Sequence, residues 1–210
     1  MRDTVSFVLL REGSSDDGLL AHLRLLLVEA GVREANGSSR PYKGTVEERL
    51  RGVLAEPGTL DLVFIHRDAD GPDASARYRE IVEAAATCGA AAPCVGVVPI
   101  QETEAWLLVD EDEIRRVVGR RKGNEPLGLP NLNRIEQTTN PKEVLEAALL
   151  AASATTGRRR DREVKRFSEH RRVLLERLDV HGPVKELGAF AKLMADIETT
   201  TKALAARSPG

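Results

Sequence analysis

Acidic side chains follow three apolar segments of this chain, at the points where each segment is predicted to end as a β-strand. The three segments are residues 5–10, 60–66 and 94–99. The acids after them, here called the strand-end carboxylates, are Glu12, then Asp68 and Asp70, then Glu102 and Glu104. Carboxylates that lie close together repel one another, and a hard divalent cation such as Mg²⁺ or Mn²⁺ relieves that repulsion. The pattern therefore predicts a site for one or two such ions, provided that the fold gathers the strand ends.

The order of the predicted elements indicates how those strand ends meet. Strands alternate with amphipathic segments that begin at capping residues, which predicts an α/β fold with a small, mainly parallel sheet sandwiched by helices. The helices of this part are predicted at residues 16–30, 45–55 and 73–89, and the polar, Gly/Ser-rich residues 32–44 are predicted as a loop. The carboxyl ends of parallel strands share one edge, where ligands of open α/β folds bind. We therefore expect the strand-end carboxylates to converge.

Local chemistry favours Glu12, Asp68 and Asp70 as the core of this site. Gly13 permits a tight turn after Glu12, and Gly71 stops the strand after Asp70, so the backbone can turn both aspartates toward one point. Acids at the start of loops also commonly cap helices or face water. That second interpretation is the favoured one, on pattern alone, for Asp16, Asp17 and Asp73.

The rest of the chain is predicted to be helical. Residues 123–140 are rich in Gly, Pro and Asn, which makes them the best candidate for a boundary. We predict an α/β core over residues 1–122, a linker or loop over 123–140, and a helical extension over 141–210 packed on or beside the core. The helices of the extension are predicted at residues 142–154, 161–178 and 184–206.

Composition excludes several classes of protein. The chain has 210 residues, of which 41% are hydrophobic and 30% charged, so a globular fold is expected and disorder is not. Aromatic residues make up 3%, which argues against binding single-stranded nucleic acid through rows of stacked rings. The sequence has neither a membrane-spanning stretch nor a signal-peptide pattern, so we expect a cytoplasmic protein. In a reducing cytosol, Cys88 and Cys94 are expected to be buried thiols.

Two basic runs stand out against a net charge of −2. One covers residues 115–122 and the other 158–172. Such runs hold phosphate groups beside an acidic metal centre in a nuclease, whereas the simpler interpretation is a solvated helix face. The candidate nucleic-acid-binding residues are Arg120, Arg121, Lys122, Arg162, Lys165 and Arg166, and a single helix over 161–178 is expected to place Arg172 near the last three. Residues 158–160 are predicted as a flexible loop.

The motifs at the strand ends resemble those of the TOPRIM superfamily, the α/β module of primases, topoisomerases and OLD-family nucleases. That module has a Glu after its first strand and a D-x-D after a later one, matched here by Glu12 and by Asp68-Ala69-Asp70. The match is closest to a family of short stand-alone TOPRIM-like proteins related to the nuclease domain of OLD-family proteins. Their E-G-x-x-[ED] and E-x-E-x-W-L segments match residues 12–16 and 102–107, so the resemblance covers roughly residues 5–110.

The resemblance implies a role for each matched residue. Asp68 and Asp70 are implied to hold Mg²⁺, and Glu12 to be a metal ligand or a general acid/base. Asp16 and Glu104 are implied to complete a second metal position, so that two ions clamp a phosphodiester. Asp16 departs from the commoner Glu, which shortens the reach of that ligand. The sequence also carries no P-loop, so any ATPase that works with this protein must be another chain.

The sequence thus predicts a Mg²⁺-dependent nuclease or other phosphodiester-transfer enzyme, and by analogy a role in phage defence. Two other interpretations remain open. A D-x-D after a buried strand also serves nucleotide-sugar transferases, and a TOPRIM-like fold can act as the non-catalytic partner of a separate ATPase. Among other residues, Trp106 is predicted to pack in the core, and His66 to be a structural histidine in preference to a proton-transfer group.

Overall fold

Four parallel strands form the sheet in the part of the chain that the structure describes. The structure is a computed structural model, and it describes residues 2–41 and 44–207. The strands are β1 (Arg2–Arg11), β2 (Val32–Pro41), β3 (Leu62–His66) and β4 (Cys94–Val97), in the order β2-β1-β3-β4. Every pair of neighbouring strands is parallel, which confirms the predicted α/β fold class.

Nine α-helices are described in these two ranges, some of them preceded by short 3₁₀ turns. They are α1 (Leu19–Glu29), α2 (Val46–Leu54), α3 (Ser75–Thr87), α4 (Glu104–Leu107), α5 (Glu111–Val117), α6 (Pro141–Ser153), α7 (Gly157–Lys165), α8 (Phe167–Glu176) and α9 (Gly188–Arg207). The capping box predicted at the start of α2 is present: Thr45 Oγ1 accepts from the Glu48 N–H, and the Glu48 carboxylate accepts from the Thr45 N–H. None of these helices is long and apolar enough to cross a membrane.

Two compact units divide the chain. The first consists of the described residues of Met1–Arg67, Asp73–Val98 and Ala191–Gly210, and the second of Asp68–Pro72 and Pro99–Phe190. This division differs from the predicted one, because residues 123–140 lie inside the second unit and carry buried side chains such as Ile135. Those apolar side chains need a core, which a solvated linker does not supply.

The core of the first unit is built on the sheet. Every residue of β3 is buried, as expected for a central strand of a parallel sheet with both faces covered. Phe7 of β1 and Phe64 of β3 stack edge to face, with ring centroids 5.4 Å apart. These central strands are therefore rigid supports for the residues at their carboxyl ends.

Strand β2 corrects the prediction that residues 32–44 form a loop. Residues 32–41 pair with β1 along its whole length, whereas Tyr42 and Lys43 lie outside the described residues. Only Val32 and Ala35 of this strand are buried, so its sequence lacks the apolar alternation that predicts strands. Backbone pairing to β1 holds the segment in place.

The second unit is helical and packs around the only tryptophan of the sequence. Trp106 is fully buried and meets Phe190 edge to face at 5.1 Å, which confirms the prediction that it packs in the core. The single helix predicted at residues 161–178 is instead two helices, α7 and α8, separated at Arg166. Helix α7 buries no residue, whereas α8 buries one face. Residues 158–160, predicted as a flexible loop, belong to α7.

Candidate functional site

The carboxyl ends of β1 and β3 lie side by side in the first unit. Leu10 pairs with Ile65 in the register of these two strands. The chain passes from β1 to β2 on one side and then crosses to β3 on the other, so the strand order reverses between β1 and β3. Ligands of open α/β sheets bind outside the carboxyl ends of the strands at such a switch point.

Glu12 occupies this position directly after β1. Its Oε1 lies 2.9 Å from Nη1 of Arg67, which directly follows β3. Arg67 is also 3.5 Å from the Glu80 carboxylate through Nε, and Glu80 in turn lies 3.3 Å from Arg77. The Glu12 side chain retains 33% of its exposure, so solvent still reaches this ion pair. Glu12 is thus held at the strand end by an opposite charge and stays accessible.

Asp16 caps the turn that follows Glu12. Its Oδ2 accepts the Gly13 N–H at 3.1 Å, inside a 3₁₀ turn over Ser14–Asp16. The same oxygen lies 3.8 Å from Nδ1 of His66, a fully buried side chain at the end of β3. This geometry matches the capping interpretation of Asp16, and it places His66 beside a carboxylate that sequence patterns did not connect with it.

In the second unit, Asp68 is oriented by Thr103. Asp68 Oδ1 accepts two hydrogen bonds from this residue, one from the backbone N–H at 2.9 Å and one from the hydroxyl at 3.1 Å. Thr103 is fully buried and directly precedes α4. Sequence analysis did not single out Thr103, although it lies between the two glutamates of the E-x-E segment.

Asp70 and Gln101 both have left-handed backbones, with φ of 54° and 61°. The Asp70 N–H donates to the Gln101 carbonyl at 2.9 Å, and the Gln101 N–H donates to the Gly71 carbonyl at 3.1 Å. Aspartate adopts this left-handed conformation more readily than most residues, whereas glutamine has no such preference for it. Such backbones persist where the surroundings enforce them, often at functional sites. No pattern in the sequence pointed to Gln101.

Glu104 forms a buried ion pair with Arg171 of α8. Arg171 Nε donates to Glu104 Oε1 at 2.7 Å, and the two residues are 5% and 6% exposed. The sequence places Arg171 in a basic run without distinguishing it from its exposed neighbours. Its partner lies 67 residues earlier in the chain, so only folding brings them together.

Glu102 lies in a negative environment. Burial raises its pKa, and the charges of Glu104 and Asp68 raise it further, while a hydrogen bond from the Lys142 N–H and the Lys142 charge act in the opposite direction. Asp68, Glu102 and Glu104 are therefore close enough to interact electrostatically. Lys142 belongs to the first turn of α6, where the helix dipole favours a carboxylate.

The partners of these carboxylates affect which of them can bind a cation. In residues 2–41 and 44–207, no group of three or more His, Cys, Asp or Glu side chains is arranged to hold a metal ion. Mg²⁺, however, commonly binds proteins through only one or two carboxylates and keeps several waters. Asp68 and Asp70 supply carboxylate oxygens of the kind that Mg²⁺ binds. Glu104 forms an ion pair with Arg171.

Comparisons of the chain with models of protein families, with curated proteins and with solved structures found no match. The resemblance to the TOPRIM superfamily accordingly stays a prediction from the motifs at residues 12–16, 68–70 and 102–107. The geometry described above is what can support a function for this chain.

The predicted nucleic-acid-binding residues fall into two groups in the structure. Arg120 is 2.8 Å from Glu125, and Arg166 lies 3.4 Å from Glu163 and 3.2 Å from Glu169. The other four predicted residues, Arg121, Lys122, Arg162 and Lys165, are exposed and form no ion pair with the residues that the structure describes. The prediction that one helix places these cations near one side is wrong, because Arg162 and Lys165 belong to α7 and Arg172 belongs to α8. Arg172 pairs with Glu176 of the same helix. Exposed ion pairs are weak, so Arg120 and Arg166 can still exchange their partners for phosphate.

Proposed function

We propose that this protein is a Mg²⁺- or Mn²⁺-dependent enzyme that hydrolyses or transfers phosphodiester bonds in nucleic acid, and that it works in the cytoplasm. Asp68 and Asp70 are the residues assigned to the cation. The observation that carries the proposal is the strand order: β3 ends at the topological switch point, and after one intervening residue, Arg67, the D-x-D motif begins at Asp68.

The loop after β3 supports this assignment. Thr103 orients Asp68 through two hydrogen bonds, and the left-handed backbone of Asp70 is paired with that of Gln101. A loop held in this way keeps its carboxylates in place before any ligand arrives, which lowers the cost of binding.

The chemistry follows from these groups. A bound divalent ion supplies a Lewis acid that stabilises the charge developing on a phosphoryl group. Asp68 and Asp70 are assigned to hold that ion through their carboxylate oxygens. The exposed side chains of Arg121, Lys122, Arg162 and Lys165 offer positive charge for the phosphate backbone.

The test uses purified protein with Mn²⁺ or Mg²⁺ and single- and double-stranded DNA and RNA. The decisive variant is Asp70→Asn, because asparagine tolerates the left-handed backbone while it removes the charge. The matched control is Asp73→Asn in the same loop, where the side chain accepts the Ser75 N–H and an amide oxygen can still do so. We expect cleavage by the wild type and by D73N and its loss in D70N. If the wild type binds no Mn²⁺ and leaves all four substrates intact, the proposal is wrong.

A non-catalytic partner of a separate ATPase is the second candidate. The ion pairs Glu12–Arg67 and Glu104–Arg171 favour it, since guanidinium groups already neutralise two of the predicted ligands. Titration calorimetry with Mn²⁺ separates the two functions. Binding no better than about 1 mM, or roughly −4 kcal/mol, supports the non-catalytic role.

A further inference from the structure

We infer that Arg171 takes the place of a second divalent cation beside Glu104, so that the protein binds one ion where the motifs predict two. This inference rests on the proposed function only in requiring that a first ion binds. The motifs predict Glu104 as a ligand of a second ion, whereas in the structure Glu104 pairs with Arg171. The inference therefore concerns the number of ions that the protein binds.

Because the Arg171–Glu104 pair is buried, breaking it is energetically unfavourable. Both residues are less than one-tenth exposed, and the 2.7 Å distance is typical of a strong charge-assisted hydrogen bond. Breaking a buried pair leaves an uncompensated charge, which is strongly unfavourable. Arginine also stays charged at any pH that the protein experiences, so titration does not release Glu104.

The guanidinium of Arg171 places a positive charge beside Glu104, as a second ion would. Glu104 lies near Glu102, whose pKa is raised in part by the Glu104 charge. One positive charge next to Glu104 relieves this repulsion. A donor already approaches Glu104 Oε1 at 2.7 Å, so a cation at that oxygen, where Mg²⁺ needs a ligand at about 2.0–2.1 Å, would compete with the guanidinium.

Glu12 offers a contrast within the first unit. The side chains of Glu12 and Arg67 retain 33% and 18% of their exposure, so water can replace the interaction at little cost. An arginine partner therefore does not by itself exclude a cation from a carboxylate. It is the burial of Arg171 and Glu104 that does so.

The experiment measures how many Mn²⁺ ions the full chain binds, by titration calorimetry and by electron paramagnetic resonance of free Mn²⁺. The wild type is expected to bind one ion. Arg171→Met, which removes the charge and keeps most of the side-chain volume, is expected to bind two. The matched control Arg172→Met alters the exposed neighbour on the same helix, paired with Glu176, and should still bind one.

A second variant keeps the inference testable if R171M fails to fold. Glu104→Gln retains an oxygen that accepts from Arg171, and we expect it to bind one ion within about threefold of the wild-type affinity, a change of only about 0.7 kcal/mol. A loss of tenfold or more identifies Glu104 as a ligand and overturns the inference.

The remaining outcomes separate this inference from the proposed function. Two ions in the wild type, or one ion in a folded R171M, overturn the inference and leave the metal-dependent function standing. No ion in the wild type overturns the metal-dependent function itself.

Discussion

Thr103 holds the Asp68 carboxylate through two donors of one residue, its N–H at 2.9 Å and its hydroxyl at 3.1 Å from the same oxygen. The pair links the loop after β3 to the start of α4. A carboxylate fixed in this way has little freedom to turn, which suits a group that has to meet a cation or a phosphate at a defined place.

Thr103→Val tests this link. The substitution keeps the shape of a fully buried side chain and removes the hydroxyl donor, so we expect a loss of about 2 kcal/mol in the free energy of unfolding. If Asp68 binds the cation, the affinity for Mn²⁺ should fall by about 10–100-fold, as for other groups that orient a ligand. Urea denaturation and calorimetry measure the two effects. Thr103→Ser, which keeps the hydroxyl, should retain most of the Mn²⁺ affinity, and equal losses in both variants would contradict the role of the hydrogen bond.

Glu102→Gln should stabilise the protein at neutral pH. The pKa of Glu102 is raised, chiefly by burial and then by the Glu104 charge, so its ionised form is less favourable in the folded state than in the unfolded chain. The gain in the free energy of unfolding should therefore be full at neutral pH and disappear as the pH falls below the ordinary value of 4.5, where the carboxyl is protonated in both states. Urea denaturation across this range measures it. An exposed control, Glu83→Gln, should change stability by less than about 0.5 kcal/mol.

Glu163→Gln should have the opposite effect. The pKa of Glu163 is lowered, first by a hydrogen bond from His170 and then by the Arg166 charge, which outweigh its partial burial. The ionised form therefore contributes stability above the ordinary value of 4.5, and this contribution is lost as the pH falls through the lower pKa of the folded state. The variant should be less stable than the wild type at neutral pH and equal to it in acid. A difference that persists in acid would show that the effect is not ionic.

Gly37→Ala should destabilise the sheet. A Cβ at this position of β2 would lie within 2.6 Å of two carbons of the Phe7 ring and closer still to its Cζ. Since Phe7 is buried against Phe64, the ring cannot move freely, and we expect a loss of about 1–3 kcal/mol. Gly52→Ala in α2 is the control, because nothing lies within 4 Å of its Cβ and alanine favours a helix by about 1 kcal/mol. Thermal melts should therefore shift in opposite directions for the two variants.

The glycine at position 37 also explains why β2 escaped sequence-based prediction. In the sequence, Asn36-Gly37-Ser38-Ser39 indicates a loop, because glycine and small polar residues weaken strands. In the structure, the glycine is needed for the close approach of Phe7. The role of Gly37 depends on Phe7, which lies thirty positions earlier, so the residues next to Gly37 in the sequence do not indicate it.

The sequence by itself determined the features that depend on near neighbours. The apolar runs of β1, β3 and β4, the capping of α2, and the acids that follow the strands all depend on residues a few positions apart. Alternation of these elements was enough to predict the α/β class, because parallel strands need helical crossovers.

Only the tertiary structure decided which charges the carboxylates meet. Arg67 pairs with Glu12 because β1 and β3 are neighbours in the sheet, and Arg171 pairs with Glu104 because α8 packs in the same unit as α4. Ion pairs form through space between groups whose separation along the chain carries no signal. For this reason the sequence indicated where the carboxylates lie along the chain, whereas folding determined which arginine pairs with Glu12 and with Glu104.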